Sequence, residues 1–108
     1  MPVAGDRRWA LLDSAGPMVT AWFRSRGVVA TRFVAAFPEL PGAGIWLCTA
    51  TDEERDDLRR DTELVTAARD VLHQVGFSPL DLAETGVVVE SQQTVDREYG
   101  GSWFHAMR

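Results

Sequence analysis

The sequence predicts an α+β domain: an antiparallel sheet of about four or five strands, with one face covered by a long amphipathic helix over residues 52–75. Three observations carry this expectation. A long segment repeats apolar residues at helical spacing, two short apolar runs read as buried strands, and the stretch from Met18 to Phe37 carries the alternation of a hairpin.

The helix is the best-defined element. Thr51 and Glu54 are spaced as a capping box, in which the hydroxyl takes an orphan amide while the glutamate reaches back to the cap. Asp52, Glu53 and Glu54 place negative charge at the positive end of the helix dipole. From Leu58 onward, Leu64, Val65, Ala68, Val71, Leu72 and Val75 gather into one stripe, and Gly76 is suited to the left-handed residue that ends a helix. Leu64, Ala68, Val71, Leu72 and Val75 are therefore the residues expected to be buried against the sheet. The opposite face is charged, mostly acidic and solvated.

Before the helix, residues 6–13 read equally as a short helix capped by Asp6 or as an opening strand, ended in either case by Gly16-Pro17. Val19, Ala21 and Phe23 alternate with Thr20, Trp22 and Arg24, and Val28 to Phe37 is rich in β-branched and aromatic residues. With Arg26-Gly27 between them, the two runs form the expected hairpin, while a helix over Val29–Phe37 is the rival reading. Residues 38–44 are a breaker cluster and so a loop. Ile45–Thr49 is expected to be a central strand, with Trp46 and Cys48 on one face and Ile45, Leu47 and Thr49 on the other. After the helix, Ser78-Pro79-Leu80-Asp81 opens a short helix with a cap, a proline in the first turn and an acid behind it. Val87–Val89 is a strand. Residues 90–107 then offer two readings: a hairpin turning at Gly100-Gly101, or a helical turn from Gln92 to Glu98 capped by Ser91.

The chain's 108 residues are expected to form a single domain, residues 1–108, able to fold without disulfides or metals. Cys48 is the only cysteine, and no secretory or membrane pattern is visible, which leads to the expectation of a cytoplasmic setting. All eleven basic residues are arginine. A net charge of -5 argues against nucleic acid as a partner, because a phosphate backbone asks for a basic face. The charge is also unevenly placed: residues 1–37 hold five arginines against two carboxylates, whereas residues 38–108 hold six against fourteen.

Few side chains suggest chemistry. His73, His105 and Cys48 are the only soft ligands and lack paired spacing, so no metal or cofactor is expected. Cys48 lies in an apolar run and reads as a small buried hydrophobe. The absence of lysine rules out a Walker motif. The acids Asp52, Glu53, Glu54, Asp56 and Asp57 suit a divalent ion or a basic partner, but such acids stabilise a helix N-terminus on their own account. The strongest functional candidate is the C-terminal stretch. Its carboxylates Glu90, Asp96 and Glu98, its amides Gln92 and Gln93, and its aromatics Tyr99, Trp103 and Phe104 combine the ingredients of an interface core and rim. The bland alternative is a closing element that pins the sheet, with Trp103 simply buried.

The run Glu90-Ser-Gln-Gln-Thr-Val-Asp-Arg97, followed by Tyr99-Gly-Gly-Ser-Trp-Phe104, resembles the C-terminal part of small acidic bacterial immunity-type proteins, which neutralise toxins. That resemblance implies a non-enzymatic role bound to a protein partner, and it transfers no active-site residue. A negative surface would suit a basic partner such as a toxin nuclease. The expected function is thus a protein-binding domain that neutralises a basic partner through Glu90, Gln92, Asp96, Glu98, Tyr99 and Trp103, without nucleic acid or membrane. The first alternative is a small hydrolase or ribonuclease-like enzyme with Glu90, His105 and Tyr99 or Arg97 as its acid-base set. The second is a domain whose exposed aromatics close a homodimer.

Overall fold

The structure is a computed structural model that describes residues 5–108. The fold is α+β, but among the described residues the sheet has three strands and is mixed. Strands β1 (Val28–Val34), β2 (Gly44–Thr49) and β3 (Gly86–Ser91) lie in the order β1-β2-β3, with β1 antiparallel and β3 parallel to β2. This corrects the expected antiparallel sheet of four or five strands. β2 is central, as its nearly all-apolar sequence requires.

Helix α1 (Arg7–Phe23) occupies the segment expected to hold the first strand of the hairpin, and it runs straight through Gly16-Pro17. The strand reading failed because Val19, Ala21 and Phe23 alternate only locally. Leu12, Ala15, Val19 and Phe23 are all buried at three- and four-residue steps, a stripe that crosses the proline and outweighs the lost backbone bond. Asp6 caps the helix by accepting the Arg8 amide. A 3-10 turn (Arg24–Arg26) leads into β1.

The expected helix over 52–75 is two helices, α2 (Asp52–Arg59) and α3 (Leu64–Val75). Both halves of its sequence logic hold locally: the Thr51–Glu54 capping box is formed, and Gly76 ends α3 in the left-handed conformation. Between Leu58 and Leu64, however, the positions that should continue the stripe are polar. Asp61 uses its carboxylate to accept the Glu63 amide at 2.8 Å and the Arg26 guanidinium at 2.9 Å, a local alternative to helical pairing. Leu64, Ala68, Val71 and Leu72 are buried and Val75 is half-buried, packed against α1 as well as the sheet. Helix α4 (Pro79–Ala83) opens on the Ser78 cap as expected.

Helices cover both faces of the sheet, and not one. The main core joins Ile45 and Leu47 of β2 and Val89 of β3 to α1 and α3. On the opposite face, Cys48 packs with Val95 and Trp103 from α5 (Gln92–Tyr99) and α6 (Trp103–Ala106), bordered by Ala30 and Trp46. The expected split of β2 side chains between two faces therefore corresponds to two separate cores. Gly42 ties the β1–β2 loop to α4: its φ is +80°, its amide donates to Asp81 at 2.9 Å, and a Cβ there would meet the Glu84 carbonyl carbon at 2.7 Å. None of the helices among the described residues is long and apolar enough to cross a membrane.

Candidate functional site

Because β2 and β3 are parallel neighbours and each runs directly into a helix, the N-termini of α2 and α5 come together at one end of the sheet. Each has its own cap, Thr51 for α2 and Ser91 for α5. The Ser91 hydroxyl accepts the Thr94 amide at 3.1 Å and donates to the Asp52 carboxylate. Thr94 donates to the same carboxylate at 2.7 Å, and Arg97 pairs with it at 3.2 Å. The hydrogen bonds from Ser91 and Thr94, reinforced by Arg97, hold the Asp52 carboxyl down at about 2 against an ordinary value of 3.8.

Glu90, at the end of β3, belongs to this same junction. It accepts the Arg55 guanidinium at 3.0 Å and the Ser91 amide at 2.8 Å, with Arg59 at 3.7 Å. Arg55 also donates to Thr94 at 2.6 Å and to Asp56 at 2.9 Å, and the Asp56 and Glu90 carboxylates favour its charged form. The pairing partners of Glu90 and Thr94 lie some forty residues earlier in the chain, so Asp52 and Arg55 were not legible as members of this cluster. The available signal was the repeated strand-cap-helix pattern ending β2 and β3, which becomes informative only once the strands are known to be parallel neighbours.

The C-terminal segment adopts the helical reading that Ser91 allowed, and the hairpin is overturned. Gly100 and Gly101 both take positive φ, +59° and +82°, but they turn the chain between two helices. A hairpin needs a strand after the turn, whereas here Ser102 accepts the His105 amide and starts α6. Trp103 is 8% exposed, and its indole N–H donates to Gln92 at 2.8 Å. Gln92 in turn donates to Asp96 at 2.8 Å, and the Arg32 guanidinium lies 5.3 Å from the Trp103 ring. The indole is thus already desolvated within this chain, while Phe104, the next residue, is 73% exposed.

Of the expected interface residues, the structure leaves Asp96, Glu98 and Tyr99 open to solvent, joined by Phe104 and His105; Glu90, Gln92 and Trp103 are engaged internally. The clefts between the β1–β2 loop and Gly86, between α1 and β1, and between the start of α1 and Gly76–Asp81 are lined by none of Glu90, Tyr99 and His105. Burial pushes the Cys48 thiol up to about 11, which disfavours a thiolate. Within the acidic start of α2, Glu54 serves the capping box, Asp52 and Asp56 are held by arginines, Asp57 pairs with Arg60, and Glu53 is exposed. Among the described residues no group of three or more histidine, cysteine or carboxylate side chains is placed to hold a metal ion.

No family model, curated protein or solved structure matches this chain.

Proposed function

We propose that this protein is a non-catalytic protein-binding domain, an acidic antidote of the immunity type that neutralises a basic partner through the outer surface of α5 and α6. The observation that carries this reading is the presence of exposed aromatics and exposed carboxylates on one helix pair: Asp96, Glu98 and Tyr99 are exposed on α5 and Phe104 on α6, and the inner side of the pair is held by Trp103 and Val95. A rigid support beneath exposed aromatic groups reduces the ordering cost of association. The surrounding carboxylates supply long-range attraction for a positive surface. Glu90, already committed to Arg55 and the Ser91 amide, acts in this reading as part of the support and not as a contact.

The test uses two baits side by side, the parental protein and a Glu98→Gln, Phe104→Ala variant, against lysate of the source cells. Both positions are exposed, so the variant keeps its fold. A basic protein retained by the parent and lost by the variant, and whose toxicity or nuclease activity the parent suppresses, is the expected result. Equal retention by both baits of every basic protein recovered removes the α5–α6 surface from the account.

A further inference from the structure

We infer that the cleft between α1 and β1 binds a small extended zwitterion, an uncapped peptide of about four residues, with its ammonium at Asp13 and its carboxylate at Arg24. Helical spacing places these two charges in one trough. Asp13, Gly16, Thr20 and Arg24 recur at three- and four-residue steps along α1 and its exit, beside the buried stripe of Leu12, Ala15, Val19 and Phe23, and all four line the cleft against β1. The strand passes in the opposite direction: the Thr20 hydroxyl meets that of Thr31 at 2.8 Å, and a Cβ at Gly16 would come within 3.6 Å of the Phe33 ring.

The dimensions set the size of the ligand. The cleft holds about 530 Å³, inside the range of small-ligand sites, about 300–1,000 Å³. At a rise of about 1.5 Å per residue, Asp13 and Arg24 stand roughly 16 Å apart along the helix axis. An extended peptide of four residues at about 3.4 Å each covers roughly 14 Å, which fits the span between the two charges.

The charges set its chemistry. Among the described residues neither Asp13 nor Arg24 has an ion-pair partner, and the two do not reach each other. They are the only charged groups in the cleft lining. Opposite charges held apart on one wall oppose a ligand of single sign at one end or the other and favour one that carries both. The floor between them is uncharged. Two hydroxyls bonded to one another use one of their two protons, and neither Thr20 nor Thr31 has another side-chain partner among the described residues, so the pair retains a donor for a ligand carbonyl. Phe33 supplies an apolar wall. Because both termini must be free, an internal segment of a protein chain does not satisfy the site. Helix α1 packs on the face of the sheet opposite α5 and α6, so this assignment and the α5–α6 surface stand independently.

The probe is an uncapped four-residue peptide of alternating alanine and valine, titrated into isotope-labelled protein and followed by NMR, alongside its N-acetylated and C-amidated forms. Saturable shifts are expected at amides of α1 and β1 that line the cleft, with each cap weakening binding about fivefold, the scale of a partly exposed ion pair. In the Asp13→Asn protein the N-acetylated form should bind as well as the uncapped peptide while amidation still weakens binding; in the Arg24→Gln protein the pattern should reverse. Both residues are exposed, so both variants keep their fold. The inference is overturned by no saturable shift up to about 10 mM peptide, by equal affinity for all three forms, by a cap dependence that neither substitution changes, or by shifts confined to α5 and α6.

Discussion

Trp103 and Phe104 are adjacent in sequence and opposite in environment, and the difference follows from one cap. Ser102 starts α6 so that the first helical residue turns inward onto Cys48 and Val95 while the second faces solvent. Trp103→Ala is expected to cost roughly 3 to 5 kcal/mol of stability through lost burial and the cavity left behind. Phe104→Ala should stay within about 0.5 kcal/mol. Urea denaturation of the two variants measures both, and an unchanged midpoint for Trp103→Ala would contradict the placement of α6. Asp52 gives a second expectation at this scale. Its carboxyl is held at about 2 in the folded chain by Ser91 and Thr94, below the ordinary value of 3.8. Between those values the unfolded chain binds more protons than the folded one, so the stabilisation is fully present above about pH 4 and is lost as pH falls toward about 2. Asp6, held at about 2 by the Arg8 side chain, titrates in the same window. Asp52→Asn should therefore flatten the fall in stability below pH 4, as read by denaturation at stepped pH. A fall as steep as the parent's would remove Asp52 from the junction.

At the scale of elements, the clearest expectation concerns α3, whose Leu72 is fully buried between α1 and the sheet. Leu72→Ala should lower stability by roughly 2 to 5 kcal/mol, measured as a shifted denaturation midpoint with an unchanged slope. Its stripe was readable because helical periodicity is local, and the same is true of the Thr51–Glu54 capping box, the Ser78 cap, β2 and the β-branched β1. What escaped was decided by neighbours. Gly16-Pro17 reads as a stop, yet α1 continues because Leu12, Ala15, Val19 and Phe23 share one buried face. Asp61 reads as one more charge on a solvated face, yet with Arg26 and the Glu63 amide it separates α2 from α3. Gly100-Gly101 supplies the positive φ of a primed hairpin turn and equally of a turn between helices, and the cap at Ser102 selects the second.

At the scale of the whole molecule, the parallel pairing of β2 and β3 organises everything assigned to function. It joins the N-termini of α2 and α5, locks Asp52, Arg55, Glu90 and Thr94 into a mutually bonded junction, and leaves the outer surface of α5–α6 to carry Asp96, Glu98, Tyr99 and Phe104. The C-terminal stretch was visible in the sequence as a mixture of acids, amides and aromatics; its division into support and surface was not, because that division depends on contacts with residues 52–59. The acidic excess of residues 38–108 is consistent with steering toward a positive partner. The most direct test is the association rate of a neutralised basic protein with the parental chain and with the Asp96→Asn, Glu98→Gln variant, followed from low salt to above about 0.15 M. The account predicts slower association for the variant, a difference that shrinks as salt rises, and unfolding midpoints that coincide. Association at the parental rate with the parental salt dependence would contradict it.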